Sequence, residues 1–330
     1  MDYEFRTAVN VKKFPFNIGY NSPVLFLGSC FTENVGGKMQ KLKFPALVNP
    51  FGVIYNPISV GMVLKRIIAG NTFEENELDF HNNLWFSFMH HTTFSSENKD
   101  ECLQKINSNL QESVKFCNKT EILAVTFGTA RVYIHKGMKN PVANCHKIPA
   151  KEFDHKLLTV NEIVDYWTEI LEKVFASKPN LKILFTVSPI RHWKDGPEGN
   201  QVSKSTLILA VHKLAEHFPE NVFYFPAYEI MMDELRDYRF YKDDMLHPSD
   251  LAISYIWEKF KGALISPEDQ KLTKEIEKIV LNSEHKPIKI NTKEHQKFVE
   301  NTLLQIERIL KTNPSLNFSN EIELLQQSIS

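Results

Sequence analysis

The sequence predicts an α/β fold in which a five-stranded, mainly parallel sheet is covered by helices on both faces. Short apolar runs alternate along the chain with longer segments whose apolar residues recur at helical spacing. Strands separated by helices of this length pair in parallel, because the crossover helix returns the chain to the same end of the sheet. The 330 residues are 42% hydrophobic and 24% charged, which is ordinary globular composition and excludes disorder of the whole chain.

Each of the five predicted strands is a short, mostly apolar run. The runs span residues 24–27, 44–48, 122–127, 181–187 and 222–225. The first run ends at Gly28, the third at Gly128 and the fourth at Ser188-Pro189, and these turn formers mark where the chain leaves the sheet.

The segments between the strands carry apolar residues three or four positions apart, which places them on one face of a helix. We predict helices around residues 35–42, 57–68, 103–117, 163–174 and 207–218, and a last core helix after His247-Pro248-Ser249. Two segments interrupt this alternation. Residues 72–94, rich in aromatic and turn-forming residues, predict a β-hairpin insertion, and residues 131–150 a second hairpin or a loop insertion.

The pattern changes after about residue 265, where apolar residues become sparse on helices dominated by Lys and Glu. We therefore divide the chain into a domain at 1–265 and a helical appendage at 266–330 that packs on it. Docking of a partner by these helices is the weaker alternative, since evenly polar helices more often form a solvated face.

Several classes of protein are disfavoured by composition. The formal net charge of −1 argues against a general nucleic-acid binder. The first residues contain no apolar signal segment, and no apolar run approaches the ~18 residues that span a bilayer. The 4 Cys show no CxxC pairing, which argues against a zinc or redox motif. We expect a cytoplasmic protein without metal or cofactor, whose partner is a small molecule and neither nucleic acid nor membrane.

Ser29 lies between the end of the first strand and the start of a helix. In open α/β sheets, ligands bind beyond the carboxyl ends of the strands. A nucleophile at this position gains the helix dipole and free backbone N–H groups that can hold an oxyanion. Small residues that merely form the turn are an equally good explanation of the position alone.

Asp244 and His247 follow the fifth strand. An Asp three residues before a His can accept the hydrogen bond of Nδ1–H, which fixes the tautomer and leaves Nε2 free as a general base. Together with Ser29, these residues form a coherent candidate triad.

The chain resembles the GSCFA domain family of the SGNH (GDSL-like) hydrolase clan over roughly residues 20–265. The strings that carry the resemblance are Gly28-Ser29-Cys30-Phe31, Asn49-Pro50-Phe51-Gly52, Asn56-Pro57, Gly128-Thr129-Ala130, Asn144-Cys145-His146-Lys147, Ser188-Pro189-Ile190-Arg191-His192 and Ser203-Lys204. The family name abbreviates a Gly-Ser-Cys-Phe-Ala signature, and Thr32 occupies the position of its Ala in this chain. The resemblance implies a three-layer α/β/α sandwich of flavodoxin-like type, with Ser29 as nucleophile, His247 as base and Asp244 as its orienting partner.

The resemblance also implies an oxyanion hole made by the N–H groups of Ser29 and Gly52 and by an Asn side chain. The usual Gly-x-Asn is Gly128-Thr129-Ala130 here, and Ala130 has no side-chain donor. Loss of one such donor typically costs about 10²–10³ in kcat. Thr129, Asn144 and Asn56 are possible replacements, of which we favour Asn144; Asn56 also suits a helix cap beside Pro57.

Four further polar residues are expected near a substrate: Asn56, His91, His146 and Arg191. The planar guanidinium of Arg191 could hold a carboxylate or another anion. A structural ion pair that fixes the loop is the favoured alternative for Arg191. For His90 and His91, packing against aromatic residues is favoured over contact with substrate. For His146, a structural role and contact with substrate are equally favoured.

We predict from these features a serine ester hydrolase that acts on small acyl esters, such as acetyl groups on carbohydrate. An acyltransferase would use the same triad, and a binding protein could keep the fold without the chemistry. Cys30 is an alternative nucleophile, since a helix N-terminus lowers a thiol pKa. We favour Cys30 as a small buried residue that points away from the pocket.

Overall fold

The computed structural model describes residues 6–285 and 292–329. The strands are β1 Val24–Gly28, β2 Ala46–Val48, β3 Asp79–His81, β4 Leu84–Phe86, β5 Ile122–Phe127, β6 Arg131–His135, β7 Asn140–Val142, β8 Phe153–Leu157, β9 Lys182–Val187 and β10 Val222–Tyr224. The helices are α1 Cys30–Lys41, α2 Pro57–Ala69, α3 Lys99–Lys119, α4 Val160–Ser177, α5 Gly196–His217, α6 Ala227–Glu229, α7 Asp250–Leu264, α8 Pro267–Ser283, α9 Lys293–Thr312 and α10 Ser319–Gln327.

The central sheet has five strands in the order β10-β9-β5-β1-β2, and every pairing is parallel. All residues of β1 and β5 are buried, as expected for parallel strands covered on both faces. The register pairs Gly28 with Thr126 and Phe127 with Val187. The residues that follow β1, β5 and β9 therefore emerge at one edge of the sheet.

Helices cover the two faces of this sheet in separate layers. One face packs against α2, α3, α4 and α5, with Trp167 at 0% exposure among the buried residues. The other face packs against α1 and α7, and the buried apolar residues of the three C-terminal helices α8, α9 and α10 continue the same core. The predicted α/β class, with a five-stranded parallel sheet between helices and a helical C-terminal region, is confirmed.

The C-terminal helices share the second core with the sheet-covering helices. Ile276 and Ile279 of α8 and Val299 and Ile306 of α9 are buried in it together with Trp257 of α7. Few apolar residues suffice here, because they lie three or four positions apart and point to one side of each helix.

Both insertions form small sheets of their own. Strands β3 and β4 pair as an antiparallel hairpin within residues 72–94, as predicted. The second insertion is longer than predicted, since β6 pairs with β7 and also with β8, giving a three-stranded sheet that extends to Leu157. Three of the five residues of β8 are exposed polar side chains, so the apolar pattern that identifies a strand is missing.

Within residues 6–285 and 292–329, none of the helices combines the length and the apolar character that are needed to cross a bilayer.

Candidate active site

A cavity of about 450 Å³ opens at the sheet edge where β1, β5 and β9 end. Its wall combines residues that follow these strands with parts of the second insertion and of the loop before α7. Of the residues singled out from the sequence, those that line it are Ser29, Cys30, Thr129, Asn144, Asn56, Arg191 and His247. The structure therefore brings the predicted nucleophile and the predicted base to one cavity, although 218 positions separate them in the chain (247 − 29).

Gly28 fixes the position of Ser29. Its φ of 140° lies in the region that favours glycine, and a Cβ here would lie 2.1 Å from the carbonyl oxygen of Thr126. The N–H of Gly28 donates to Asn49 Oδ1 at 2.9 Å. The chain therefore passes tightly against β5 before α1 begins, and Ser29 stands at the sheet edge.

The hydroxyl of Ser29 is buried and unpartnered. The residue is 1% exposed, and its Oγ makes no hydrogen bond with any described residue, including His247. Buried hydroxyls are normally hydrogen-bonded, so an orphaned one in a cavity wall calls for an explanation. A nucleophile that engages its base only when substrate is present would provide one.

Asp244 orients His247 in the loop before α7. Asp244 Oδ2 lies 2.5 Å from His247 Nδ1, and Oδ1 accepts the N–H groups of His247 and Leu246, both at 2.9 Å. The backbone N–H bonds from His247 and Leu246, followed by the imidazole contact, lower the pKa of the Asp244 carboxyl to about 2. A carboxylate accepts hydrogen bonds only, so Nδ1 carries the proton and Nε2 remains a potential base.

The backbone donors that were expected in the oxyanion hole are engaged elsewhere. Ser29 N–H donates to Thr126 O at 3.1 Å, and Gly52 N–H donates to Asn49 O at 2.7 Å. Gly52 lies outside the cavity lining, and a Cβ on it would lie 2.2 Å from His91 Cβ. The prediction for Gly52 is therefore not met in this structure, because a tight turn after β2 uses the donor.

The three possible replacements for the missing Asn differ in whether their side-chain donors are already engaged in hydrogen bonds. Thr129 Oγ1 lies 3.0 Å from Ser203 Oγ, and Asn56 caps α2 through both side-chain atoms with Ser59. Asn144 Oδ1 accepts the N–H of His146 at 2.9 Å, while its Nδ2 donates to no residue in the described part of the chain. Asn144 thus retains an uncommitted amide N–H pair in the cavity wall.

The family model for the GSCFA family matches residues 23–260, and the model for the GSCFA domain protein, C-terminal domain, matches residues 276–330. The chain belongs to the GSCFA family. A search of the curated proteins finds no match.

Five of the strings by which the chain resembles the GSCFA family contribute residues to the cavity wall. Ser29, Asn56, Thr129, Asn144 and Ser188 each come from a different string and line the cavity together. Segments far apart in the chain thus converge at one sheet edge in this GSCFA protein, which is the expected arrangement for a ligand site.

Lys204 lies beneath the cavity and was not predicted as a site residue. It is fully buried in α5, and its Nζ donates to Gly128 O at 2.6 Å and to Ser188 O at 2.7 Å. It therefore joins the ends of β5 and β9. Burial lowers the pKa of its ammonium group to about 7. The signal in the sequence is a charged residue three positions before Leu207, on the apolar face of the helix.

His192 is a second site residue that sequence analysis left out of the predicted site. A Cβ on Gly128 would lie 3.0 Å from His192 Nε2 and 3.3 Å from Ser29 Cβ, which places the imidazole near the nucleophile. Its ring meets Tyr55 edge-on at 5.4 Å. Burial, with Lys204 and His247 nearby, lowers the pKa of His192 to about 4. His192 is therefore a neutral wall of the cavity at neutral pH.

Two histidines that were expected to contact substrate have other surroundings. His91 caps a short turn through Thr93 and lies outside the cavity lining. His146 Nε2 bonds Ser87 O at 3.0 Å, its ring stacks on Phe86 at 4.1 Å, and burial lowers its pKa to about 4. Local polarity does not reveal that Phe86 and Phe88 enclose the His146 ring. The aromatic packing that was favoured for His91 is not found among the described residues, where its side chain bonds Thr93 instead.

Cys30 lines the cavity, which corrects the expectation that it points away from it. Burial and the nearby Glu33 raise the pKa of its thiol, against the opposing N–H groups of Cys30 and Phe31. The thiol is therefore protonated at neutral pH and is a poor nucleophile compared with a thiolate.

No three His, Cys, Asp or Glu side chains converge as a metal site within the described residues.

Proposed function

We propose that this GSCFA protein is a serine ester hydrolase of the SGNH type, with Ser29, His247 and Asp244 as its triad. The observation that carries the proposal is the placement of the unpartnered Ser29 hydroxyl in the cavity that also contains His247, whose Nδ1 is held by Asp244. These are the parts that acyl transfer requires: a nucleophile, a base with a defined tautomer and an anion that stabilises the charged imidazole.

The proposed reaction has two halves. Ser29 Oγ attacks the acyl carbon while His247 Nε2 takes its proton, and the Asp244 carboxylate stabilises the resulting imidazolium. The imidazolium then gives the proton to the leaving alcohol, and an acyl-serine remains. In the second half, water gives a proton to His247 Nε2 and attacks the acyl-serine. The imidazolium then returns that proton to Ser29 Oγ as the acid leaves, which restores both residues. A second alcohol in place of water would make the protein an acyltransferase.

The developing oxyanion requires donors close to Ser29. The free amide of Asn144 is the side chain best suited to this role in the cavity wall. The start of α1 adds the positive end of the helix dipole, because Ser29 is its N-cap residue.

Covalent labelling and ester turnover test the proposal together. The protein should react with a fluorophosphonate probe at Ser29 and should release a burst of phenol from an activated acetyl ester. Ser29→Ala and His247→Ala should abolish both signals, whereas Ser108→Ala, on the exposed side of α3, should retain them. Full turnover by Ser29→Ala would rule out the proposal.

A non-catalytic binding protein is the second candidate. The observation that favours it is the engagement of Ser29 N–H and Gly52 N–H by backbone carbonyl groups, which leaves the expected oxyanion donors unavailable. A folded protein that is not labelled at Ser29 between pH 5 and 9 would support this candidate over the hydrolase.

A further inference from the structure

A second cavity of about 550 Å³ adjoins the candidate active site. Arg191 and Trp193 line both cavities. His247 lines the first cavity and Asp244 the second, so the two spaces meet beside the proposed catalytic pair. An ester bound at Ser29 can therefore extend past Arg191 into the second cavity.

Arg191 has no partner of opposite charge at this junction. Of the other charged side chains that line the second cavity, Arg236 pairs with Asp233 and Asp237 pairs with Arg239, while the Asp244 carboxylate is hydrogen-bonded to the His247 imidazole. Arg191 forms no ion pair with any residue that the structure describes. Its Nη2 meets Met232 Sδ at 3.4 Å, and its buried Nε has no hydrogen-bond partner there.

The groups near Arg191 do not compensate its charge. Tyr228 and Tyr241 face it, but burial raises the pKa of both phenols, so both remain neutral. A guanidinium that is partly removed from water without a counter-charge is costly. The structural ion pair that was favoured for Arg191 from the sequence is absent from the described residues. Asp237 and Asp244 line the same cavity but form no ion pair with Arg191, so a bound anion would supply the direct partner that these residues do not.

The side chains in the wall of the second cavity indicate which chemical groups it could bind. Trp193 and Tyr238 are exposed aromatic side chains in its wall, at 48% and 77%. Exposed aromatic faces beside a cavity are typical of binding sites for flat or ring-shaped groups. The planar guanidinium fork suits the two oxygens of a carboxylate or a phosphate.

We infer that Arg191 binds an anionic oxygen group on the substrate, so that this protein acts on acyl esters of ring-shaped alcohols that carry a carboxylate or a phosphate. The inference rests on the proposed hydrolase function, because it assigns the part of the ester that lies beyond the reacting carbonyl.

Three aryl acetates that share the same ring and differ in the para substituent test the inference: 4-acetoxybenzoate, its neutral methyl ester and 4-acetoxyphenyl phosphate. With each rate normalised to uncatalysed hydrolysis, one of the anionic esters should exceed the neutral ester in kcat/KM by about tenfold or more, mainly through a lower KM. The anionic ester that is preferred identifies the group as carboxylate or phosphate. A ratio near one for both anionic esters would overturn the inference and leave the hydrolase proposal intact.

Substitutions of Arg191 test whether this residue causes the preference for the anionic ester. Arg191→Gln should bring the ratio close to one, and Arg191→Lys should restore part of it, since the charge returns without the fork. Arg308→Gln is the control for loss of a positive charge, because Arg308 pairs with Glu275 on the surface. An unchanged ratio in Arg191→Gln, with a thermal midpoint like that of the wild type, would also overturn the inference.

The subsite can be tested even if no ester is turned over. Calorimetry with 4-hydroxybenzoate and with 4-hydroxyphenyl phosphate should then show binding of one of them to the wild-type protein, with binding lost in Arg191→Gln. Absence of binding to the wild-type protein would contradict the subsite, whereas absence of turnover contradicts the hydrolase alone.

Discussion

The Asp244 carboxylate holds the His247 imidazole and the loop that carries it at the same time. One oxygen lies 2.5 Å from His247 Nδ1, and the other accepts the N–H groups of Leu246 and His247. Met245, which lies between Asp244 and Leu246, has a φ of 58°, so the chain turns sharply here. The carboxylate thus fixes the tautomer and the position of the ring in a loop that is otherwise exposed.

Asp244→Asn should lower kcat by roughly 10³–10⁴, because an amide nitrogen facing Nδ1 favours the wrong tautomer. The measurement is kcat and the burst amplitude on an activated acetyl ester. Asp243→Asn is the matched control, since its carboxylate is exposed and forms no ion pair among the described residues. Wild-type turnover in Asp244→Asn would remove Asp244 from the proposed mechanism.

Cys30→Ala should keep kcat within a few-fold of the wild-type value and should still be labelled at Ser29. Burial and Glu33 raise the pKa of the Cys30 thiol, so the thiolate is scarce at pH 7. Alkylation of Cys30 by iodoacetamide should accelerate as the pH rises toward 10. Loss of labelling in Cys30→Ala, with an intact fold, would favour a cysteine enzyme.

Lys204 should make the folded protein more stable in alkali. Its pKa is about 7 in the folded chain and 10.5 for the free side chain, so between these values only the unfolded chain holds the proton. The free energy of unfolding therefore rises with pH in this window, by up to about 1.4 kcal/mol per pH unit.

Urea unfolding of Lys204→Met at pH 7 to 10 should show this rise reduced relative to the wild type. Lys213→Met, on the exposed side of the same helix, is the control and should follow the wild-type curve. Equal pH dependence in Lys204→Met and wild type would mean that the folded chain keeps the Lys204 proton throughout this range.

The central sheet could be predicted because its strands are buried on both faces and therefore appear as uninterrupted apolar runs, as in β1 and β5. The position of Ser29 follows from the same runs, since it stands directly after one of them. The exposed strand β8 could not be predicted, because its polar residues carry no such pattern.

Long-range hydrogen bonding limited the prediction of the site. The N–H of Gly52 was expected to face the substrate, but the turn closed by Asn49 O uses it. Lys204 belongs to the site only because Gly128 and Ser188, both distant in sequence, present carbonyl oxygens to it. Such pairings depend on the assembled sheet, and neither composition nor spacing along the chain reveals them.

His90 lies in an aromatic cage and should make the protein sensitive to acid. It is 1% exposed, its ring stacks on Phe51 at 4.3 Å, and Phe73 and Phe94 complete the cage. Neither ring nitrogen has a hydrogen-bond partner among the described residues. Burial, with lesser effects of His146 and Arg66, lowers the pKa of His90 to about 3.

The free energy of unfolding should therefore fall as the pH drops below 6.5. Between pH 6.5 and about 3, His90 is protonated in the unfolded chain and neutral in the folded chain. His90→Phe keeps the aromatic packing and removes this proton, so its free energy of unfolding should fall less steeply between pH 6.5 and 4 than that of the wild type. His217→Phe, at the exposed end of α5, controls for loss of a histidine. If His90→Phe and wild type lose stability in parallel on acidification, His90 must gain a hydrogen-bond partner in solution that offsets the cost of burying its charge.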